Sequence, residues 1–169
     1  SNNHIKLSTV LAAILPQMTN LRSLWMEWCG NKMDKLAPAL VQCTQLTSLV
    51  MSGNALSEDT LNTIVTSLTQ LQTLHIGSCE LEDDDLARLV KSLHAHTRLR
   101  SLDLGYNYLD LDTVKALLNW PHLLNLEYVR LYSNLKAGIT PVEDLLSQSL
   151  SLVQISDSFN FGIMTETCN

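Results

Sequence analysis

Residues Leu99–Asn107 read LRSLDLGYN, and the same nine-residue frame returns along the chain. LRSLWMEWC starts at Leu21, LTSLVMSGN at Leu46, LQTLHIGSC at Leu71 and LEYVRLYSN at Leu126, with a weaker copy, LSLVQISDS, at Leu150. The starts lie 25, 25, 28, 27 and 24 residues apart, a period in the range of stacked structural repeats. Each copy follows Leu-x-x-Leu-x-Leu-x-x-Asn/Cys. Alternate side chains of a strand face opposite ways, so the fourth and sixth positions share one face. Those positions are Leu24/Met26, Leu49/Met51, Leu74/Ile76, Leu102/Leu104, Val129/Leu131 and Val153/Ile155, all apolar and therefore inward. Strands are expected near residues 23–27, 48–52, 73–77, 101–105 and 128–132.

The ninth position is Cys29, Asn54, Cys79, Asn107 and Asn134. There the chain must turn away from the strand, leaving backbone N–H and C=O groups without ladder partners. A buried Asn amide can satisfy both kinds, and stacked copies predict a continuous ladder in which Cys is a smaller, weaker member.

A second period follows each strand. Leu61, Ile64, Val65 and Leu68 are spaced i, i+3, i+4, i+7, as are Leu86, Leu89, Val90 and Leu93. Shorter versions occur at Leu36/Ala39/Leu40, Val114/Leu117/Leu118 and, shifted by one, Val142/Leu145/Leu146. This is the stripe of an amphipathic helix. Each unit is thus a strand, a turn and a helix, and successive strands must be parallel. Residues 3–5 match residues 54–56, which predicts that the chain begins inside a repeat and puts Val10, Ala13 and Ile14 on the helix stripe. The run Val10–Leu15 is too short for a secretory core preceded by one lysine and is read as that helix. Residues 1–20 are then a partial first repeat, 21–155 the repeats, and 156–169 a C-terminal flank of a single domain that is a fragment of a longer protein.

The five blocks, with Cys29, Asn54, Cys79 and Asn107 alternating at the ninth position, resemble the ribonuclease-inhibitor-like class of leucine-rich-repeat proteins. That resemblance implies an α/β solenoid, a curved horseshoe with parallel strands concave and helices convex. The class spans inhibitors, innate immune receptors, actin regulators and bacterial effectors, so it points to protein recognition without naming a partner.

The curvature also follows from spacing. Strands sit about 4.8 Å apart, whereas packed helices need about 8–10 Å, so stacking bends the coil with strands inside. Outward strand positions therefore line a groove, and Trp25, Trp28, Tyr106, Tyr128 and Tyr132 fall on them, accompanied by Glu27, His75, Asp103 and Arg130. Exposed aromatics beside charged groups are typical interface anchors; the competing reading is packing within the sheet. The aromatics form two groups separated by Ser52, Gly53, Gly77, Ser78 and Gly105, a gap that reads equally as room for a partner's loop or helix and as weak constraint on the middle units. Trp25 and Trp28 have a further alternative, packing on a preceding repeat.

Composition narrows the partner. The 169 residues are 46% hydrophobic and 17% charged, with net charge −6. An acidic surface repels phosphate, which excludes nucleic acid and anionic membrane, and the broad groove suits a protein better than a small molecule. Cys29, Cys43, Cys79 and Cys168 form no CxxC pair, and reduced thiols of an intracellular, cytoplasmic protein are expected, or of a host cytoplasm for a bacterial effector. Glu82–Asp85 opens a helix and is read as capping rather than as a cation site. His94 and His96 diverge on a helix end. With no phosphate loop, GxSxG or HExxH motif, no cofactor or metal is expected and the chain is not read as an enzyme. The expected function is a non-catalytic protein-interaction module; the alternative is the recognition arm of a larger enzyme such as a ubiquitin ligase, or of a secreted effector.

Overall fold

The computed structural model describes residues 7–30, 33–131 and 163–164. Five short strands, β1 (Ser23–Trp25), β2 (Ser48–Val50), β3 (Thr73–His75), β4 (Ser101–Asp103) and β5 (Tyr128–Arg130), pair in parallel and in sequence order. The register matches the repeat. Leu24 pairs with Leu49, Leu49 with Leu74, Leu74 with Leu102 and Leu102 with Val129. The strands stop two residues earlier than expected, but the hydrogen-bond ladder runs on: Met26 N donates to Val50 O and Trp28 N to Ser52 O.

Helices α1 (Leu7–Ile14), α2 (Ala37–Leu40), α3 (Glu58–Ser67), α4 (Asp83–Ser92) and α5 (Leu111–Leu118) follow or precede the strands and back the sheet. Between the two layers runs one apolar core, built from position-four and position-six side chains and the helix stripes. No single unit could bury these residues alone; stacking provides the cover. The helix starts carry the expected caps. Asp110 accepts from Thr113 N at 2.7 Å, Ser57 from Thr60 N at 3.4 Å, and Asp85 accepts from the Glu82 N–H at 3.1 Å.

Three expectations are corrected. On α1 the inward residues are Leu11, Ala12 and Leu15, while Val10, Ala13 and Ile14 are exposed. The stripe lies one residue later than the alignment of residues 3–5 implied. Ile14 and Met18 occupy the slots of buried Ile64 and Leu68, yet are exposed because among the described residues no further unit covers that side. Second, the sheet is not wholly parallel. A sixth strand, β6 (Ile163–Met164), pairs antiparallel with β5, so the flank contributes a strand at the edge of β5 where the Leu150 copy was expected. Residues 150–155, the helix stripe at 142–146 and Asn134 lie outside the described residues.

The third correction concerns the ladder, which is built in pairs. Asn54 Oδ1 accepts from Cys29 N at 3.0 Å and its Nδ2 donates to Met26 O and Met51 O. Asn107 repeats this with Cys79 N at 3.0 Å, Ile76 O at 2.9 Å and Leu104 O at 3.0 Å. Each Asn thus serves its own turn and the preceding Cys turn. Between the pairs the side-chain link passes through the Cys79 sulfur, which contacts Met51 O at 3.5 Å and takes hydrogen bonds from the Asn54 and Gly53 backbone, beside the backbone bonds Gly53 N to Gly77 O at 2.8 Å and Leu56 N to Cys79 O at 3.3 Å. A thiol is a weaker partner than an amide, so the ladder is strongest within each pair.

Candidate protein-binding site on the strand face

Immediately after each strand the backbone turns through the left-handed region at the eighth position of the repeat. Trp28, Gly53, Ser78 and Tyr106 have φ of 53°, 74°, 54° and 54°. Glycine is the natural residue there, and of these four only residue 53 is one. An L-residue in this conformation costs roughly 1–2 kcal/mol, so Trp28 and Tyr106 are bulky side chains held where the backbone resists them. Such outliers persist where surrounding structure over-determines them and cluster at binding sites.

Gly53 carries a second constraint. A Cβ added to it would fall inside the Trp28 indole, so the ring lies flat across the Gly53 α-carbon. At Gly77 an added Cβ would sit 3.0 Å from Asp103 Oδ1 and 3.1 Å from Gly105 O. These small residues keep the face low between the two aromatics. The result is a cleft of about 140 Å³. Trp28 and Tyr106 line it, with Ser52, Gly77, Ser78 and Gly105 as small residues and Glu27, Asp103 and Arg130 as charges.

The charges have distinct roles. Asp103 is 5% exposed; its Oδ1 accepts from Gly105 N at 2.8 Å and its Oδ2 from Arg130 Nη1 at 3.2 Å. A buried carboxylate needs such partners, so Asp103 holds Arg130 and the turn. Beside it, His75 Nε2 lies 2.7 Å from Ser101 Oγ, and its ring centroid is 5.7 Å from that of Tyr128. Burial pushes the His75 imidazole below its ordinary pKa, against the opposing pull of Asp103, and pushes the Tyr128 phenol up.

The nine residues singled out from the sequence therefore divide. Glu27, Trp28, Asp103, Tyr106 and Arg130 converge on one cleft. The two aromatic groups, read from sequence as separate, meet there through Trp28 and Tyr106. His75 and Tyr128 are half-buried and pack on each other within the sheet. Trp25 is 73% exposed but does not line the cleft, and Tyr132 lies outside the described residues. Tyr108 was missed: it is exposed and, with Glu82, Asp83 and Asp84, lines a second cavity of about 420 Å³ at the start of α4. An aromatic directly after the ladder Asn, where other copies have Gly30, Ala55 and Glu80, was the available signal.

Among the described residues no group of three or more His, Cys, Asp or Glu is arranged to hold a metal ion. His94 binds Lys91 O and His96 binds Val65 O, so the two imidazoles serve different partners. No helix among the described residues is long and apolar enough to cross a membrane.

No protein-family model matches the chain, and no curated protein does. Among solved structures, an internalin from Listeria monocytogenes is 30% identical with a TM-score of 0.57, over 78% of this chain and 34% of the internalin. The chain has a leucine-rich-repeat fold. It spans about a third of that internalin's length. The C-terminal domain of tropomodulin from Caenorhabditis elegans matches with a TM-score of 0.67 at 15% identity, over 86% of this chain and 92% of that one, and shares the fold alone.

Proposed function

We propose that this chain is a non-catalytic interaction module that binds a partner protein on its concave strand face. The observation that carries the reading is the pair Trp28 and Tyr106, exposed at 72% and 47% on one face and each held in left-handed backbone. Exposed aromatics at an energetic cost to the fold are explained by a contact they make elsewhere. The internalin likeness supports a protein as the partner class. Helices of eight to ten residues behind most strands suit the ribonuclease-inhibitor-like subclass. The acidic charge disfavours nucleic acid, and Cys43 and Cys79, buried and unbridged, suit an intracellular setting. A second reading, the recognition arm of a larger enzyme or secreted effector, draws on the much greater length of the matched internalin.

The test is capture of a partner by the isolated chain, followed by calorimetric affinities. Trp25→Ala, Trp28→Ala and Tyr106→Ala each weaken binding by about 1–3 kcal/mol if the concave face is the interface. Lys91→Ala, on the exposed side of α4, leaves it unchanged. Loss of binding in the Lys91 variant with retention in all three aromatic variants would place the interface on the convex side.

A further inference from the structure

We propose that the cleft between Trp28 and Tyr106 is a socket for a single arginine side chain presented by the partner protein. The proposal rests on the concave-face reading above and adds the chemistry of the group recognised.

Size comes first. A volume of about 140 Å³ holds roughly five waters at about 30 Å³ each. That is well under the roughly 300–1,000 Å³ of small-molecule sites and suits one long side chain. Shape agrees. Positions 28 and 106 are three strand steps apart, which puts their α-carbons about 14 Å from each other. The Trp28 ring, lying over Gly53, takes up one of those steps. The remaining slot is narrow, walled by aromatic groups and floored by glycine and serine, and a flat guanidinium stacks against such rings.

Charge selects the same occupant. Asp103 is engaged by Arg130 and by Gly105 N–H, so this pair is internally neutral. Glu27 forms no ion pair among the described residues and is left as the uncompensated charge of the lining. The floor is polar as well: Ser52 is 8% exposed, and its Oγ has no hydrogen-bond partner among the described residues. A carboxylate occupant would face Glu27 and compete with Asp103 for Arg130. An aliphatic occupant would cover the Glu27 carboxylate and the Ser52 hydroxyl without answering either. A guanidinium supplies planar stacking, positive charge and several donors together.

The experiment is a titration of the isotopically labelled chain, followed by backbone amide resonances, with three capped tripeptides carrying arginine, leucine or glutamate between two glycines. The arginine peptide is expected to shift the Ser52, Gly77, Ser78 and Gly105 amides, and Glu27→Gln to weaken that binding three- to tenfold. Glu27 is exposed, so the variant should fold, and its own spectrum verifies this. The proposal is overturned if the arginine peptide leaves those amides unmoved, if leucine or glutamate binds as well, or if Glu27→Gln changes nothing. If the arginine peptide fails while Trp28→Ala and Tyr106→Ala still weaken partner binding, the socket falls and the concave interface stands. If the peptide binds but the partner ignores Glu27→Gln and both aromatic substitutions, the partner does not use the socket and the proposal falls with it.

Discussion

Replacing Asn107 by leucine tests the paired ladder most directly. Asn107 is 3% exposed and its amide serves five backbone groups. Oδ1 accepts from Cys79 N at 3.0 Å and Leu81 N at 3.3 Å; Nδ2 donates to Ile76 O at 2.9 Å, Leu104 O at 3.0 Å and Gly105 O at 3.4 Å. Gly105 O also accepts from Ser78 N, so it keeps a partner without Asn107. Leu104 makes a further interaction of its own, so leucine, which is nearly isosteric, orphans two N–H groups and the Ile76 C=O. At about 1 kcal/mol each the loss is roughly 3 kcal/mol, offset by about 1 kcal/mol for the apolar atoms gained. The net is about 2 kcal/mol. For a chain of this size that corresponds to a fall in Tm of roughly 4–8 °C. Thermal melts and urea titrations by circular dichroism measure it. A loss below about 1 kcal/mol in a folded variant would refute the claim that one Asn supports two turns.

Gly53→Ala combines left-handed backbone with a methyl group driven into the Trp28 ring, and should cost about 1–2 kcal/mol. In a Trp28→Ala background the cost should shrink by at least about 0.5 kcal/mol, a double-mutant coupling whose absence would contradict the ring-on-glycine packing. His96 is fully buried, its Nε2 donates to Val65 O at 2.8 Å, and its Nδ1 has no partner, so burial lowers its pKa from the ordinary 6.5. The unfolded chain takes up the proton first, so stability from His96 is complete above pH 6.5 and declines as pH falls below it. His75 is shifted the same way. Urea midpoints between pH 7.5 and 5 should fall less steeply in His96→Leu, leucine being the residue at the matching positions 68 and 123; equal slopes would disprove the assignment. Burial pushes the Cys79 thiol up to about 12, so maleimide at pH 8 should label the half-buried Cys29 before Cys79, as read by mass spectrometry, and faster labelling of Cys79 would show that its slot is open.

The strand register, the inward residues at positions four and six and the helix stripes of α2 to α5 were all legible in the sequence. They recur with the chain's own period, and burial of a periodic face is a local pattern. The concave face was legible only as a set of positions. Asp103, read as outward, is buried because Arg130 on the next strand pairs with it and Gly105 N–H binds it. His75, read as outward, packs against Tyr128, which lies two strands away. The left-handed backbone at Trp28 and Tyr106 had no residue signature, since glycine marks that turn only at position 53. The antiparallel partner of β5 broke the repeat altogether, because Ile163–Met164 carry none of its pattern. Repetition along one chain determined which side of each strand faces the core. What stands exposed on the other side depends on neighbours about 4.8 Å away on adjacent strands, side chains some 25 residues distant in sequence, and only the assembled sheet decides it.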